Sequence, residues 1–298
     1  MLYIYRRASS TGARSLAEAL NGIRMRNDDR LRQRLRAGDS VIMWGEHLNL
    51  NLNGVRILNN VPLQNKFEDA QRLRAANVNT IEVNRTRPVQ APATPPPDPL
   101  VEMWDEAVDL ADAFAGTTAD RGQVARDGLD EILTTLQNLK RAQLTPVPVA
   151  TPTAALGWVP RLFNHTGGAD LLTPPATPDF YVKKEEFVNE YRVHSFMGKS
   201  LRAGKKAVRD GFQNPHAWVR SWDGGWRILY DGVTAKQRHR DIAHRAVAAL
   251  GLQFGAVDIG ERRDNSLVVL EVNRAPGLEG GTVDAYSRAI QGWANDAR

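Results

Sequence analysis

The sequence contains no cysteine among its 298 residues. Disulfide bonds and thiolate zinc sites are therefore excluded, and packing alone has to hold the fold together. A chain without cysteine fits a reducing compartment, so we expect a cytoplasmic location.

Long apolar runs are also missing. A membrane-spanning helix needs about 18 consecutive apolar residues, and no such run occurs in the sequence. The N-terminal MLYIYRR is a short apolar run followed, rather than preceded, by its charges, which is not typical of a signal peptide. We therefore predict neither a membrane span nor a membrane partner.

Acidic residues are in slight deficit: 34 Asp and Glu stand against 39 Lys and Arg, for a formal charge of +5. A solvated surface rich in arginine explains this balance, and attraction to nucleotides, acidic substrates or nucleic acid is the alternative. The arginines are scattered, and no basic stripe with interleaved aromatic residues appears. We therefore do not expect nucleic acid as the partner.

The order of the predicted elements indicates an α/β fold with an α+β portion. In the first 86 residues, strand-like runs alternate with helical patterns, which favours a mostly parallel sheet in a small N-terminal lobe. The strand-like runs are 2–5, 39–45, 55–60 and 79–83, and the helical patterns are 11–22 and 65–78.

Two proline-rich segments, 87–99 and 144–157, enclose a different region. That density of proline is incompatible with a helix or a central strand. Between the segments, two amphipathic patterns predict helices. Residues 87–157 are therefore predicted to be an inserted helical hairpin on two stiff tethers.

The remaining region, 158–298, is again mixed. It contains a helical pattern at 234–250 and two strand-like runs, 255–260 and 266–273. The short connection RRDN joins the two runs, which predicts a β-hairpin.

Three oxygen-bearing side chains mark this hairpin. Glu271 and Asn273 are two residues apart, so they point to the same face of an extended strand, and Asp258 reaches them if the register is right. Oxygen donors without His or Cys suit Mg²⁺. The alternative is that the acids are solvated or salt-bridged at the strand ends.

A glycine-rich loop, PGLEGGT at 276–282, follows the hairpin. We predict a helix after it with Thr282 as the N-cap. The backbone N–H groups at such a helix start can hold an anion, and an ordinary glycine turn is the alternative.

These motifs carry a resemblance to a known family. EVNRAPGLEG at 271–280 resembles the C-terminal signature of the ATP-grasp ligases, in particular the RimK-type carboxylate–amine ligases, whose pattern is Glu-x-Asn-x-x-Pro-Gly-x-x-Gly. AVDIG at 256–260 resembles the upstream metal-binding aspartate of the same family. The resemblance covers about 157–292, is weaker in 55–80, and extends to short members carried by bacteriophages. It implies an ATP-grasp fold behind an N-terminal pre-ATP-grasp lobe, and the host cytoplasm as the location if a phage encodes the chain.

The resemblance also implies a nucleotide site. NHTGG at 164–168 is similar to the phosphate-covering loop, which assigns Thr166, Gly167 and Gly168 to ATP, although a Gly pair alone predicts an ordinary turn. Arg161 stands where the family commonly has Lys, and Arg keeps the charge. His165 and Asp170 replace glycines.

YVKKEEF at 181–187 is similar to the linker that binds adenine through its backbone. The implied contacts are Tyr181, Val182 and Lys183, with Tyr181 replacing the more usual Glu. Lys184 aligns best with the family's nucleotide-contacting lysine, and Lys183 is the rival. A solvated charged edge is the alternative interpretation of this segment.

EYRVH at 190–194 and two later segments complete the implied cleft. Alternation of this kind is also typical of a half-buried strand, and His194 is interpreted as a strand or core histidine. By resemblance, Glu190 and Lys206 contact the nucleotide, and the catalytic arginines are Arg192, Arg209 and Arg220. Arg220 corresponds to the arginine that faces the reacting carboxylate or acyl phosphate, and Ser221 follows it where relatives often carry Asn.

The function that the resemblance implies is an ATP- and Mg²⁺-dependent carboxylate–amine ligase acting through an acyl phosphate, with Mn²⁺ as an alternative ion. The metal ligands would be Asp258, Glu271 and Asn273. The implied partners are ATP, a carboxylate and an amine acceptor that is a small molecule, a peptide or a protein, and relatives commonly form homo-oligomers. The departures from the family pattern leave a second hypothesis, a nucleotide-binding interaction module that has lost catalysis.

Overall fold

A parallel sheet of four strands forms the N-terminal part of the chain. Its order is β2-β1-β3-β4, and every pair of neighbours is parallel, as predicted from the alternation of strands and helices. The strands are β1 (Leu2–Tyr5), β2 (Ile23–Met25), β3 (Ser40–Met43) and β4 (Arg56–Leu58), and the helices are α1 (Thr11–Ala19), α2 (Asp28–Arg34) and α3 (Lys66–Ala75). Of these elements, β2 and α2 were not predicted, because α2 buries only Leu31 and gives almost no apolar period.

The computed structural model describes residues 1–49, 53–86, 157–163, 169–172, 174–217, 219–233 and 235–296. Residues 1–87 and 157–298 form one compact unit. The hairpin predicted at 87–157 lies, except for its last residue, outside the described residues and stays a prediction. No helix of the described residues is long and apolar enough to cross a membrane.

The strand predicted at 79–83 is wrong in its extent and its sheet. Thr80 forms a single bridge with Val269. The strand itself is β5 (Val83–Asn84), which pairs with β7 in a small antiparallel sheet of order β5-β7-β6. Val83 packs there against Phe67 and Phe180, so burial of this side chain places the strand. The other members are β6 (Trp158–Arg161) and β7 (Phe180–Lys183), with the short helix α4 (Ala169–Leu172) beside them.

The large sheet is antiparallel and has five strands in the order β10-β9-β8-β11-β12. The hairpin predicted from the runs 255–260 and 266–273 is confirmed as β11 paired with β12. The strands are β8 (Asn189–Phe196), β9 (Lys199–Val208), β10 (Trp226–Leu229), β11 (Phe254–Glu261) and β12 (Leu267–Asn273), and the last helices are α5 (Gln237–Ala249) and α6 (Gly281–Asn295). Ile242, Ala246 and Leu250 pack against the sheet, which fixes α5 on one face.

An aromatic cluster joins the N-terminal sheet to the large sheet. The rings of Trp44 and Phe254 stack with centroids 5.2 Å apart, and Tyr286 meets Trp44 edge-on at 5.6 Å. All three side chains are fully buried, and large aromatic residues of this kind dominate core energetics. The cluster therefore fixes α6, which carries Tyr286, against both sheets.

The predicted N-cap of α6 is wrong. The helix begins at Gly281 after Gly280, whose φ of 49° lies in the left-handed region that favours glycine. Thr282 is a buried residue of the first turn, and its hydroxyl accepts a hydrogen bond from Arg202 rather than capping the helix.

Candidate active site

A cleft of about 1040 Å³ is lined by side chains of the small and the large sheet. This volume is at the upper end of the range of small-molecule pockets. Most of the site residues predicted from the sequence line it: Arg161, Val182, Lys183, Lys184, Glu190, Arg192, Lys206, Arg220, Asp258, Glu271 and Asn273. The structure therefore brings together residues that are separated by up to about a hundred positions in the sequence.

The two carboxylates of the predicted metal site face each other across the hairpin. Asp258 on β11 is the direct partner of Glu271 on β12, and on its other side Asp258 is the partner of Arg192 on β8. Directly opposed residues of neighbouring strands point to the same face of the sheet. The register that the sequence left open is thus the one that places both acids in the cleft.

Arg192 holds Asp258 with two parallel hydrogen bonds. Its Nε donates to Oδ1 at 2.6 Å and its Nη2 donates to Oδ2 at 2.7 Å. A bidentate arginine–carboxylate pair is strong and geometrically specific. Although burial opposes the charge, Asp258 raises the pKa of Arg192 above its ordinary value. Arg192 therefore fixes the orientation of the Asp258 carboxylate.

Lys66 is the corresponding partner of Glu271. Its Nζ donates to Oε2 of Glu271 at 2.6 Å, from the first residue of α3. Burial alone would raise the pKa of Glu271, but the Lys66 ammonium overcomes this effect and lowers the pKa to about 2. Each acid of the pair thus has a cation beside it.

Asn273, the third predicted ligand, lies next to Glu271 at the end of β12. Its amide nitrogen is buried and has no hydrogen-bond partner among the described residues. Within the same residues, no site gathers three or more His, Cys, Asp or Glu side chains that could hold a metal ion. The predicted set contains only two such residues, and its third donor is an amide.

A second group of charges surrounds Glu190, which is buried in the same cleft. Lys206 Nζ lies 3.0 Å from its carboxylate and Arg220 Nε lies 3.5 Å from it. Arg220 also donates to the carbonyl oxygen of Phe187 at 2.7 Å. Two cations share one carboxylate, so this part of the cleft has a net positive charge.

The comparisons with known proteins identify the fold. No protein-family model and no curated protein matches the chain. D-alanine–D-alanine ligase from Bacillus anthracis is similar with a TM-score of 0.52 at 11% identity, over 98% of this chain and 92% of that chain. The ATP-grasp ligase PsnB in complex with its minimal precursor is similar with a TM-score of 0.51 at 10% identity, over 97% and 98%. PsnB with a phosphomimetic variant of that precursor, Mg and ADP gives 0.51 at 10% identity, over 99% and 98%. The chain has the ATP-grasp fold.

The expected adenine contacts at 181–183 lie in the small sheet of this ATP-grasp structure. Tyr181 and Val182 lie in β7, the central strand of the small sheet, and pair with β5 on one side and β6 on the other. The N–H of Lys183 is taken by the carbonyl of Glu82 at 2.9 Å. Backbone groups of 181–183 therefore take part in pairing within the sheet. Their contact with adenine stays a prediction. Residues 185–187 follow β7, are not part of the small sheet and line the cleft. They were not predicted to contact adenine.

Other predicted residues lie outside the cleft or outside the described residues. Arg209 stacks on the rings of Trp222 at 3.8 Å and Phe212 at 5.4 Å, and it does not line the cleft. Tyr181 does not line it either. The expected phosphate loop, with Thr166, Gly167 and Gly168, lies outside the described residues. Arg161 does line the cleft, and its Nε donates to Asp170 at 2.7 Å.

The sequence interpretation missed Lys66, which lies beside the predicted metal ligands of this ATP-grasp fold. One feature of the sequence could have indicated it. Asn65 and Glu68 form a capping box that starts α3, so Lys66 occupies the first helical position. A cation is unfavourable at a helix N-terminus because of the helix dipole. A lysine placed there needs a partner elsewhere, and Glu271 supplies it.

His194 was interpreted as a strand or core histidine, and it is fully buried behind the cleft. Burial, helped by the Arg192 charge, lowers its pKa from 6.5 to about 3. In the unfolded chain the His194 side chain therefore binds a proton below about pH 6.5. In the folded chain it binds that proton only below about pH 3. Stability must fall as the pH falls through this window, by about 1.4 kcal/mol per pH unit.

We predict that His194→Gln reduces this acid sensitivity, because glutamine does not titrate. Between pH 7 and pH 5 the wild type should lose about 2 kcal/mol more unfolding free energy than the variant does. Urea unfolding at the two pH values measures the difference. Since only the change with pH is compared, any loss of stability from the substitution itself cancels. The same pH dependence in both proteins would contradict the prediction.

Proposed function

We propose that this chain is an ATP- and Mg²⁺-dependent carboxylate–amine ligase that acts through an acyl phosphate. One observation carries the proposal: Asp258 and Glu271 are opposed across a hairpin inside a large cleft with positively charged walls. Solved structures with the same fold include ligases, and one of them contains Mg and ADP.

The residues present fit a magnesium ion. Asp258, Glu271 and the amide oxygen of Asn273 would hold it, and these are the hard oxygen donors that Mg²⁺ prefers. Mn²⁺ accepts the same donors and stays an alternative. When bound, Mg²⁺ and ATP supply the phosphoryl group and neutralise its charge during transfer.

The chain's own residues would position and stabilise the reacting groups. Lys206 and Arg220 carry two positive charges beside the single negative charge of Glu190, so this side of the cleft has a net positive charge. We propose that these two side chains bind the phosphate oxygens of ATP and of the acyl phosphate. Arg161 and Lys184 also line the cleft and are proposed to contact ATP. We place the adenine at the backbone of residues 185–187 instead of 181–183. Residues 185–187 follow the end of β7 and are not paired in the small sheet.

No protein nucleophile is required for this reaction. An oxygen of the acid attacks the γ-phosphoryl group, ADP leaves, and the amine then displaces phosphate from the acyl phosphate to form an amide. Arg192 keeps Asp258 in place, and Arg220 would face the acyl phosphate. The proposal therefore assigns charge stabilisation and positioning to the protein.

The proposal is tested with purified protein, Mg²⁺ and ATP against a panel of amino acids, small dicarboxylates, amines and peptides. We expect release of ADP and phosphate only when an acid and an amine are both accepted, with a condensation product of matching amount by mass spectrometry. Nucleotide binding without ADP formation across the panel would contradict the ligase and favour the non-catalytic binding module.

A further inference from the structure

Tyr230 lines the cleft directly after β10, and the sequence interpretation gave it no role. Its ring is held from two sides. The Arg202 guanidinium lies 4.5 Å from the ring centroid. Gly204 leaves the space that the ring needs, because a Cβ there would lie only 2.9 Å from Tyr230 Cδ1. The position of the phenol is therefore fixed by packing.

The Tyr230 hydroxyl belongs to a buried hydrogen-bond network behind the cleft. His194 Nε2 lies 2.9 Å from it, and the other ring nitrogen of His194 lies 3.3 Å from the hydroxyl of Tyr286. The donor and the acceptor in each bond follow from the requirement that every buried O–H and N–H proton has an acceptor.

Tyr286 sets the direction at His194. Its hydroxyl is fully buried, and among the described residues its one hydrogen-bond partner is His194 Nδ1. A buried hydroxyl that fails to donate is costly, so Tyr286 donates to Nδ1. A neutral imidazole has one donor and one acceptor nitrogen, and the low pKa of His194 keeps the ring neutral. His194 therefore carries its proton on Nε2 and donates it to Tyr230.

These directions leave the Tyr230 proton unused. Tyr230 Oη accepts a hydrogen bond from His194 Nε2, so its own proton takes no part in that bond. Among the described residues, Tyr230 Oη has no further hydrogen-bond partner, and Thr282 is held by Arg202 Nη1 at 3.3 Å. Because Tyr230 lines the cleft, an acceptor bound in the cleft can take this proton.

We propose that Tyr230 donates this proton in a hydrogen bond to the carboxylate of the acid substrate, and keeps that bond in the acyl phosphate. The inference rests on the proposed function. A hydroxyl proton without a partner selects an oxygen acceptor, such as a carboxylate, and an ammonium group has no acceptor to offer it. Tyr230 and Arg192 line the same cleft, so the donor lies in the cleft that holds the proposed reacting centre. Tyr230 would thus place the acid, and not the amine, next to Arg192.

The first test concerns the proton arrangement and does not depend on the function. Protein labelled with ¹⁵N-histidine is examined by long-range ¹H–¹⁵N NMR, and His194→Gln assigns the His194 signals. We expect the neutral Nε2–H tautomer. The Nδ1–H tautomer would overturn the proposal, because Tyr230 would then have to donate its proton to His194.

The second test uses acetonylphosphonate with saturating Mg²⁺ and ADP. In this analogue of an acyl phosphate a CH₂ group replaces the bridging oxygen, so it cannot transfer its phosphoryl group. Calorimetry compares the wild type with Tyr230→Phe, which keeps the ring under Arg202. We expect acetonylphosphonate to bind about tenfold more weakly to the variant, as for a lost hydrogen bond to a charged group, with unchanged affinity for MgADP. Tyr191→Phe is the matched control, since that hydroxyl bonds Glu261 and does not line the cleft; its affinity should equal that of the wild type.

The outcomes separate this proposal from the function on which it rests. Equal affinity in the wild type and Tyr230→Phe overturns the role of Tyr230. Absence of acetonylphosphonate binding to a wild type that binds MgADP overturns it too, and leaves the nucleotide site standing. A wild type that does not bind MgADP overturns the proposed function itself. Loss of MgADP affinity in Tyr230→Phe alone would assign the hydroxyl to the nucleotide and contradict its assignment to the acid.

Discussion

Glu271→Gln is expected to lower ATP-dependent turnover by about 10³-fold. Glu271 is proposed as the metal ligand opposite Asp258, and its pKa near 2 means that it contributes a full negative charge. Glutamine keeps the shape and removes that charge. Metal ions supply several kcal/mol of charge stabilisation in phosphoryl transfer, and each 1.36 kcal/mol corresponds to a factor of ten in rate.

The variant also has a readout that does not depend on activity. Binding of Mn²⁺, followed by electron paramagnetic resonance in the presence of ADP, should weaken strongly in Glu271→Gln. Glu279→Gln is the matched control, because Glu279 also lines the cleft but is exposed and is not assigned to the metal. Turnover and Mn²⁺ affinity of that variant should stay near the wild-type values. If Glu271→Gln behaves like Glu279→Gln, the metal assignment is wrong.

The carboxylate pair was predictable from the sequence because every step was local. Alternation in an extended strand places Glu271 and Asn273 on one face, and the short connection at 262–265 brings β11 back beside β12. The register of Asp258 opposite Glu271 was the one open point. A sequence pattern predicts a site best when all steps but one follow from local strand geometry.

Partners from distant parts of the chain could not be predicted in this way. Lys66 reaches Glu271 across 205 positions, and nothing near β12 indicates it. Tyr230 was missed because its importance comes from the combined bonds of His194 and Tyr286, which lie on different elements. Such contacts are decided by packing of the whole unit rather than by any local preference.

The strand at Phe180–Lys183 could not be predicted for a related reason. YVKK reads equally well as a charged linker or as a strand, and only its pairing with β5 and β6 decides for the strand. Val83, in turn, joins that sheet because it packs with Phe67 and Phe180, not because of its neighbours in sequence. Short segments take the structure that their tertiary contacts stabilise.

Arg192→Met is expected to destabilise the protein by about 3–5 kcal/mol, because it leaves the Asp258 carboxylate without its partner. The Asp258 side chain is 7% exposed, so water cannot replace the guanidinium. For a unit of this size the melting temperature should fall by roughly 10 °C. Differential scanning calorimetry in the presence of a chelator measures this loss.

The double variant Arg192→Met with Asp258→Leu is the control. It distinguishes the cost of an unpaired Asp258 charge from the loss of Arg192 packing. Replacing both members of a buried ion pair by apolar side chains is often neutral or stabilising, so the double variant should regain most of the lost stability while remaining inactive. Added Mg²⁺ should raise the melting temperature of Arg192→Met, since the ion supplies positive charge to Asp258, and should not raise that of the double variant. Equal destabilisation of both variants would show that Arg192 contributes through packing, whereas recovery in the double variant would show that the cost of Arg192→Met is the unpaired charge of Asp258.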